Sequence, residues 1–245
     1  MNVLEVQGLT KHYPAFTLNG VSFAVPEGAV MGFIGRNGAG KSTTLKSILG
    51  MVHPDAGEVK VFGMDYAANE RAIRRELGVV LGGIDFYPKK KIRVITDVTR
   101  RFYDNWDENK YRHYLRLFAI DEEKRVDQLS SGMKVKYMIA LALSHNAKLL
   151  ILDEPTSGLD PVSRDELAEL LRRIVADGTR SVLFSTHITS DLEKCATQIA
   201  FIKDGELQYT GSLEDFRAHY KDVGTTLEDI IVHVERRPLD EGAII

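Results

Sequence analysis

Gly35-Arg36-Asn37-Gly38-Ala39-Gly40-Lys41-Ser42 fits the pattern G-x-x-x-x-G-K-[ST], a set of residue types suited to cradling a phosphate. Glycines let successive backbone N–H groups turn toward an anion, and a helix that follows adds the positive end of its dipole. Lys41 would reach the β- and γ-phosphates of a nucleotide, and the Ser42 hydroxyl would ligate Mg²⁺. Asn37, Gly38, Ala39, Gly40 and Thr43 complete the candidate binding stretch. At ordinary residue usage a chance match in such a chain is about one in a hundred, so a glycine turn without ligand is a poor account of it. A second group of chemical interest is Asp153-Glu154, two carboxylates that end an aliphatic run. Asp153 would hold Mg²⁺ directly or through water, and Glu154 would polarise a water in line with the γ-phosphate. Taken alone, such a pair also suits a helix cap or a solvated turn; the phosphate loop upstream argues against that reading.

These groups need elements to place them. Val30-Met31-Gly32-Phe33-Ile34 reads as a buried parallel strand, and the stretch from Ser42 to Leu49 has helical spacing at Leu45, Ile48 and Leu49, giving strand, loop and helix. Leu149-Leu150-Ile151-Leu152 reads as a second buried strand, which delivers the acids to the edge where open α/β sheets bind ligands. Neighbouring side chains on a strand point to opposite faces, so the strand must end at the acids for both to serve one site; Pro155 supports that ending.

With those motifs in order, the chain resembles the ATP-binding subunits of ABC transporters over nearly its whole length. Leu129-Ser130-Ser131-Gly132-Met133 is similar to the family signature L-S-G-G-Q, and Ser157-Gly158-Leu159-Asp160 to its D-loop. His187, after the strand Ser181–Ser185, resembles the switch histidine, and Tyr13 falls where the family has an aromatic on adenine. The resemblance implies ATP and Mg²⁺ as cofactors and a RecA-like P-loop NTPase fold. That fold is an α/β core with a mostly parallel sheet, an N-terminal antiparallel β-subdomain and an inserted α-helical subdomain. It implies catalytic roles for Glu154, His187 and Lys41, and a γ-phosphate contact from Ser130 and Gly132 of an opposite subunit. Asp160 would cross that interface. It further implies a second ATP-binding subunit, identical or not, an integral membrane permease subunit, and a place on the cytoplasmic face of the cell membrane. An ordinary Ser-capped helix explains Ser130 equally well.

Three positions depart from the family pattern. Ser131 and Met133 replace the signature's first glycine and its glutamine, while Ser130 and Gly132 remain. Gly82 stands where the Q-loop glutamine is expected, and a glycine cannot ligate Mg²⁺ through a side chain. Its task falls to water, to a neighbour such as Asp85, or to backbone movement at Gly82-Gly83.

Composition agrees with a cytosolic enzyme. The chain has 245 residues, 44% hydrophobic, a formal charge of −3 and one cysteine, Cys195. That length permits a well-buried core, the charge gives no support for a nucleic-acid partner, and a lone cysteine excludes an internal disulfide. No apolar run is long enough to span a bilayer. The expected layout is one ABC ATPase domain, with residues 1–84 and 147–220 as nucleotide-binding core, 85–146 as helical subdomain and 221–245 as a short tail. Val135, Met138, Ile139, Ala142 and Leu143 form an apolar stripe on the helix after Ser130, and Asp204-Gly205 is a hairpin signal. Lys89-Lys90-Lys91, Arg100-Arg101 and the aromatics Phe86, Tyr87, Phe102, Tyr103 and Trp106 make a candidate docking patch for the membrane subunit; the alternative is a solvated basic face. The stretch Phe102-Tyr103-Asp104-Asn105-Trp106-Asp107 resembles a Gram-positive branch of ABC-2-type exporters. A soluble ABC-type ATPase without transport, or a nucleotide-gated clamp with little turnover, are the other function classes.

Overall fold

Val30–Ile34 and Leu149–Asp153 are buried at every position, and in the structure, a computed structural model that describes residues 1–81 and 87–235, they lie inside one sheet. The first elements are β1 (Asn2–Tyr13), β2 (Phe16–Pro26), β3 (Val30–Ile34), α1 (Lys41–Ile48), β4 (Ala56–Val61), β5 (Met64–Asp65), α2 (Tyr66–Arg75) and β6 (Leu77–Val80). Three helices follow, α3 (Ile92–Thr99), α4 (Glu108–Leu117) and α5 (Ser131–Ser144). The chain then forms β7 (Leu149–Asp153), α6 (Pro161–Val175), β8 (Ser181–Thr186), α7 (Thr189–Cys195), β9 (Gln198–Lys203), β10 (Glu206–Ser212), α8 (Leu213–His219) and α9 (Leu227–Glu235).

Six strands form a sheet in the order β10-β9-β3-β8-β7-β6, parallel throughout except for the β9–β10 hairpin. Asp204 and Gly205 take φ of 49° and 83° at that hairpin, the left-handed pair that matches the strand twist. A second, antiparallel sheet runs β2-β1-β4-β5. The α/β core with an N-terminal antiparallel sheet is therefore as expected. β1 runs on past Gly8 because a register shift between Val6 and Leu9 absorbs the glycine and the ladder resumes.

The strands divide their side chains by a period of two. Met31, Phe33, Leu149 and Ile151 face the antiparallel sheet and α1, while Val30, Ile34, Leu150 and Leu152 face the helices α6 to α9. Cys195 packs in that second layer, where burial pushes its thiol up to about 12. A third apolar cluster joins α3, α4 and α5 through Ile92, Ile95, Tyr111, Leu115, Tyr137 and Leu141. At its centre the Thr96 hydroxyl lies 2.7 Å from the Tyr111 hydroxyl and 2.9 Å from that of Tyr137, and Tyr111 donates to Glu122.

α5 is broader in its burial than the expected stripe. Ile139, Ala142 and Leu143 enter the layer under the parallel sheet, while Tyr137 and Leu141 enter the third cluster. Ala140 is buried as well, and Val135 and Met138 are only partly so. Its C-cap, His145, stacks on Tyr103 with ring centroids 3.7 Å apart and 9° between planes. Burial there lowers the imidazole to about 4.

Candidate active site

β8 lies between β3 and β7, so the chain segments leaving the C-terminal ends of these three parallel strands converge. The first is the phosphate loop. Its last residue before α1, Gly40, has φ of 112°, a backbone that strains any side chain, and a Cβ there would stand 2.9 Å from the Phe16 ring. Ala39 is buried, Asn37 and Gly38 are exposed, and Ser42 and Thr43 are half-buried in the first turn of α1.

Lys41 opens α1 with only 5% of its side chain exposed. Its ammonium turns back into the loop, donating to the Gly35 carbonyl at 2.6 Å and the Arg36 carbonyl at 3.2 Å. It also lies 3.1 Å from Glu154 Oε1. The other oxygen of that carboxylate, Oε2, is 2.8 Å from His187 Nδ1. Glu154 thus bridges the loop cation and the histidine that follows β8.

Asp153 ends β7 opposite Ser185 in the parallel ladder. Glu154 then leaves the strand at φ of 49°, a left-handed conformation uncommon for a residue of its kind. From this kinked backbone its carboxylate meets Lys41 and His187. Ser185 stands behind both acids: its hydroxyl donates to Asp153 Oδ1 at 2.6 Å and accepts the Glu154 amide at 2.9 Å. Ser185 carries no motif that singles it out, and a serine after Val182-Leu183-Phe184 in a buried strand is the signal the sequence offers.

The remaining residues lie apart. Tyr13 ends β1 with 41% of its surface exposed, paired with Phe16 across the hairpin. Ser130 caps α5 by accepting the Met133 amide at 3.2 Å, and Gly132 is buried near Ser163 and Leu159. Asp160 caps α6, taking the Ser163 hydroxyl at 2.7 Å and the amides of Val162 and Ser163 at 3.0 Å. These bonds, the Ser163 hydroxyl first, hold its carboxyl below the usual range. Among the described residues no hydrogen bond or ion pair joins Ser130, Gly132, Asp160 or the Tyr13 side chain to Lys41, Glu154 or His187. The expectations at Gly82, Gly83, Asp85 and Phe86 lie outside the described residues.

The basic patch is largely paired within the chain. Lys89 meets Asp127 at 3.0 Å, Lys91 meets Glu123 at 2.7 Å and Arg100 meets Asp97 at 3.0 Å. Lys90 and Arg101 form no ion pair among the described residues. Arg101 instead borders a surface cleft of 600 Å³ with Arg71, Arg74 paired with Glu70, Arg75 paired with Asp104, and Phe102, which is 72% exposed. Val94 and Val98, also exposed, precede Phe102 at four-residue intervals along α3 and the turn after it.

A hard-donor site for a divalent cation is compatible with what the loop and β7 provide. Asp153 Oδ2 takes no hydrogen bond among the described residues, and Ser42 adds a hydroxyl oxygen at the start of α1; oxygen donors of this kind suit Mg²⁺.

Residues 18–157 match the family model described as ABC transporter. The chain is 32% identical over 208 residues to the bacitracin transport ATP-binding protein BcrA of Bacillus licheniformis, a stretch covering 84% of this chain and 68% of that protein. It is 35% identical over 208 residues to the Nod factor export ATP-binding protein I of Burkholderia orbicola, covering 82% and 68%. A solved structure described as the ATP binding subunit of an ABC transporter superposes with a TM-score of 0.83 at 30% identity, covering 94% of this chain and 98% of that one.

Proposed function

The chain belongs to the ABC transporter family as an ATP-binding subunit with ATPase activity, and from that premise we propose how its residues divide the work. The observation that carries the reading is the meeting of Lys41, Glu154 and His187 where β3, β7 and β8 end. In the proposed site the amides from Asn37 to Thr43 and the Lys41 ammonium hold the β- and γ-phosphates of ATP. Phosphate oxygens replace Glu154 at Lys41 Nζ, and the released carboxylate orients a water on the γ-phosphorus. The water oxygen bonds to phosphorus as the bond to the ADP oxygen breaks, and the water's proton passes toward Glu154. His187 contacts the γ-phosphate and follows its departure through the Glu154 bond. Ser42 and Asp153 would hold Mg²⁺, which when bound neutralises phosphate charge. Tyr13 offers its ring to the adenine.

Ser130, Gly132 and Asp160 make no polar contact with this cluster in their own chain, and the proposal gives them to a nucleotide held by a second ATP-binding subunit. Hydrolysis then needs two chains. An integral membrane permease is the proposed partner, placing the protein at the cytoplasmic face of the membrane, and export is the proposed direction because relatives carry names of bacitracin transport and Nod factor export. Arg71 and Arg101, at a cleft where Arg74 and Arg75 are already paired with Glu70 and Asp104, suit, with Val94, Val98 and Phe102 beside them, an acidic segment of that permease bearing apolar residues.

Glu154→Gln tests the site. Turnover is expected to fall about 100-fold or more, as the loss of a general base would cause, while ATP stays bound and the protein elutes from gel filtration as a dimer with Mg-ATP and a monomer without it. A monomer under saturating Mg-ATP would overturn the two-chain site.

A further inference from the structure

The geometry points to Ser185 as a positioning residue that sets both acids at once, a proposal that rests on the roles given above to Asp153 and Glu154. Its side chain is fully buried, in register with Asp153 on the neighbouring strand. A serine hydroxyl carries one proton and two lone pairs. Here the proton goes to Asp153 Oδ1 at 2.6 Å, and a lone pair receives the Glu154 amide at 2.9 Å. Each bond fixes the rotor for the other, so the aspartate carboxylate and the glutamate backbone are held against a single oxygen.

Two consequences follow from where those bonds land. With Oδ1 engaged from behind, Asp153 can present Oδ2 forward, toward the position given to the cation. Glu154 is the more demanding case, because its φ of 49° is a strained conformation that persists only when the surroundings enforce it. The Ser185 hydroxyl accepts the amide of this kinked residue, so it holds the turn that aims the carboxylate at Lys41 and His187. Removing the oxygen leaves a backbone donor without its partner and lets the carboxylate of Asp153 rotate. The residue touches neither nucleotide nor cation; it acts through the two that do.

The test compares wild type with Ser185→Ala, Ser185→Cys and Ser185→Thr. ATP binding is measured by calorimetry with EDTA and again with Mn²⁺ titrated as probe, and kcat and KM are measured alongside. Loss of a partner that orients a metal-ligating side chain typically costs about 10-fold to 100-fold in metal affinity or activity. Ser185→Ala and Ser185→Cys are therefore expected to weaken Mn²⁺ affinity of the ATP complex and lower kcat within that range. Metal-free ATP binding should stay within about twofold, since the loop amides and Lys41 are untouched. Ser185→Thr, which keeps the oxygen, should recover most of the loss. Mn²⁺ affinity and kcat within about twofold of wild type in Ser185→Ala or Ser185→Cys would overturn the proposal, as would equal losses in EDTA and in Mn²⁺. If the alanine variant does not fold, Ser185→Cys carries the comparison; failure of both to fold would assign Ser185 to stability and also overturn it. A wild-type protein that binds no ATP at all would instead defeat the reading of the site itself.

Discussion

The Lys41 ammonium and the Glu154 carboxylate lie 3.1 Å apart, so the cation of the phosphate loop and the acid after β7 neutralise each other at the place where both would meet a triphosphate. Lys41 is nearly buried and Glu154 is 20% exposed. In the proposed site, ATP would therefore exchange one anion for another at Nζ.

That exchange predicts the sign of a binding effect. In Glu154→Gln the competing carboxylate is gone, so ATP affinity measured by calorimetry without metal should equal or exceed that of wild type. Lys41→Ala should abolish detectable binding in the same assay. Weaker binding by the glutamine variant would contradict the exchange.

His145 should make the protein sensitive to mild acid. Its pKa is near 4 in the folded state, below its ordinary 6.5, so the unfolded chain takes up the proton first as pH falls. Stability contributed by the neutral ring is present above pH 6.5 and is lost as pH falls toward 4. Between pH 7 and pH 5 that amounts to about 2 kcal/mol. His145→Phe keeps an aromatic ring against Tyr103 without the titration; its urea midpoint should drop less than that of wild type over the same interval. Parallel pH profiles would refute the assignment.

The Asp160 cap predicts local fraying. Its carboxyl is held low by the Ser163 hydroxyl and amides, so the ionised form favours the folded cap above the ordinary aspartate pKa and that contribution fades as pH drops through the lowered value. Asp160→Ala should speed hydrogen exchange at the Val162 and Ser163 amides, which Asp160 accepts. Exchange rates equal to wild type would show that the cap does not stabilise the start of α6.

Charge reversal separates the two basic surfaces. Arg71→Glu combined with Arg101→Glu should reduce co-purification with the proposed membrane subunit while basal ATPase is retained. Lys91→Glu should act chiefly by breaking its bond to Glu123. An unchanged yield of complex from the arginine pair would remove the cleft from the docking surface.

Much of this arrangement can be read from the residues, and what escapes has a physical reason. β3 and β7 are recognisable because strands covered on both faces must be apolar at every position, and the acids mark where β7 stops. The loop motif constrains its backbone so tightly that its place between β3 and α1 follows from the pattern. Ser185 escapes because its importance lies in which strand is beside it, and strand order depends on crossovers between distant segments. The breadth of burial on α5 escapes for the same reason, since one apolar stripe reveals a single neighbour and α5 has two. The pairing of Lys91 with Glu123 is likewise a tertiary contact that a run of three lysines conceals.

Because α5 forms a wall of two apolar compartments, neither can melt without stripping one side of that helix. Heating should consequently disrupt the α3–α5 cluster and the layer beneath the parallel sheet in a single cooperative event, with tryptophan fluorescence from Trp106 and far-ultraviolet dichroism tracing the same curve.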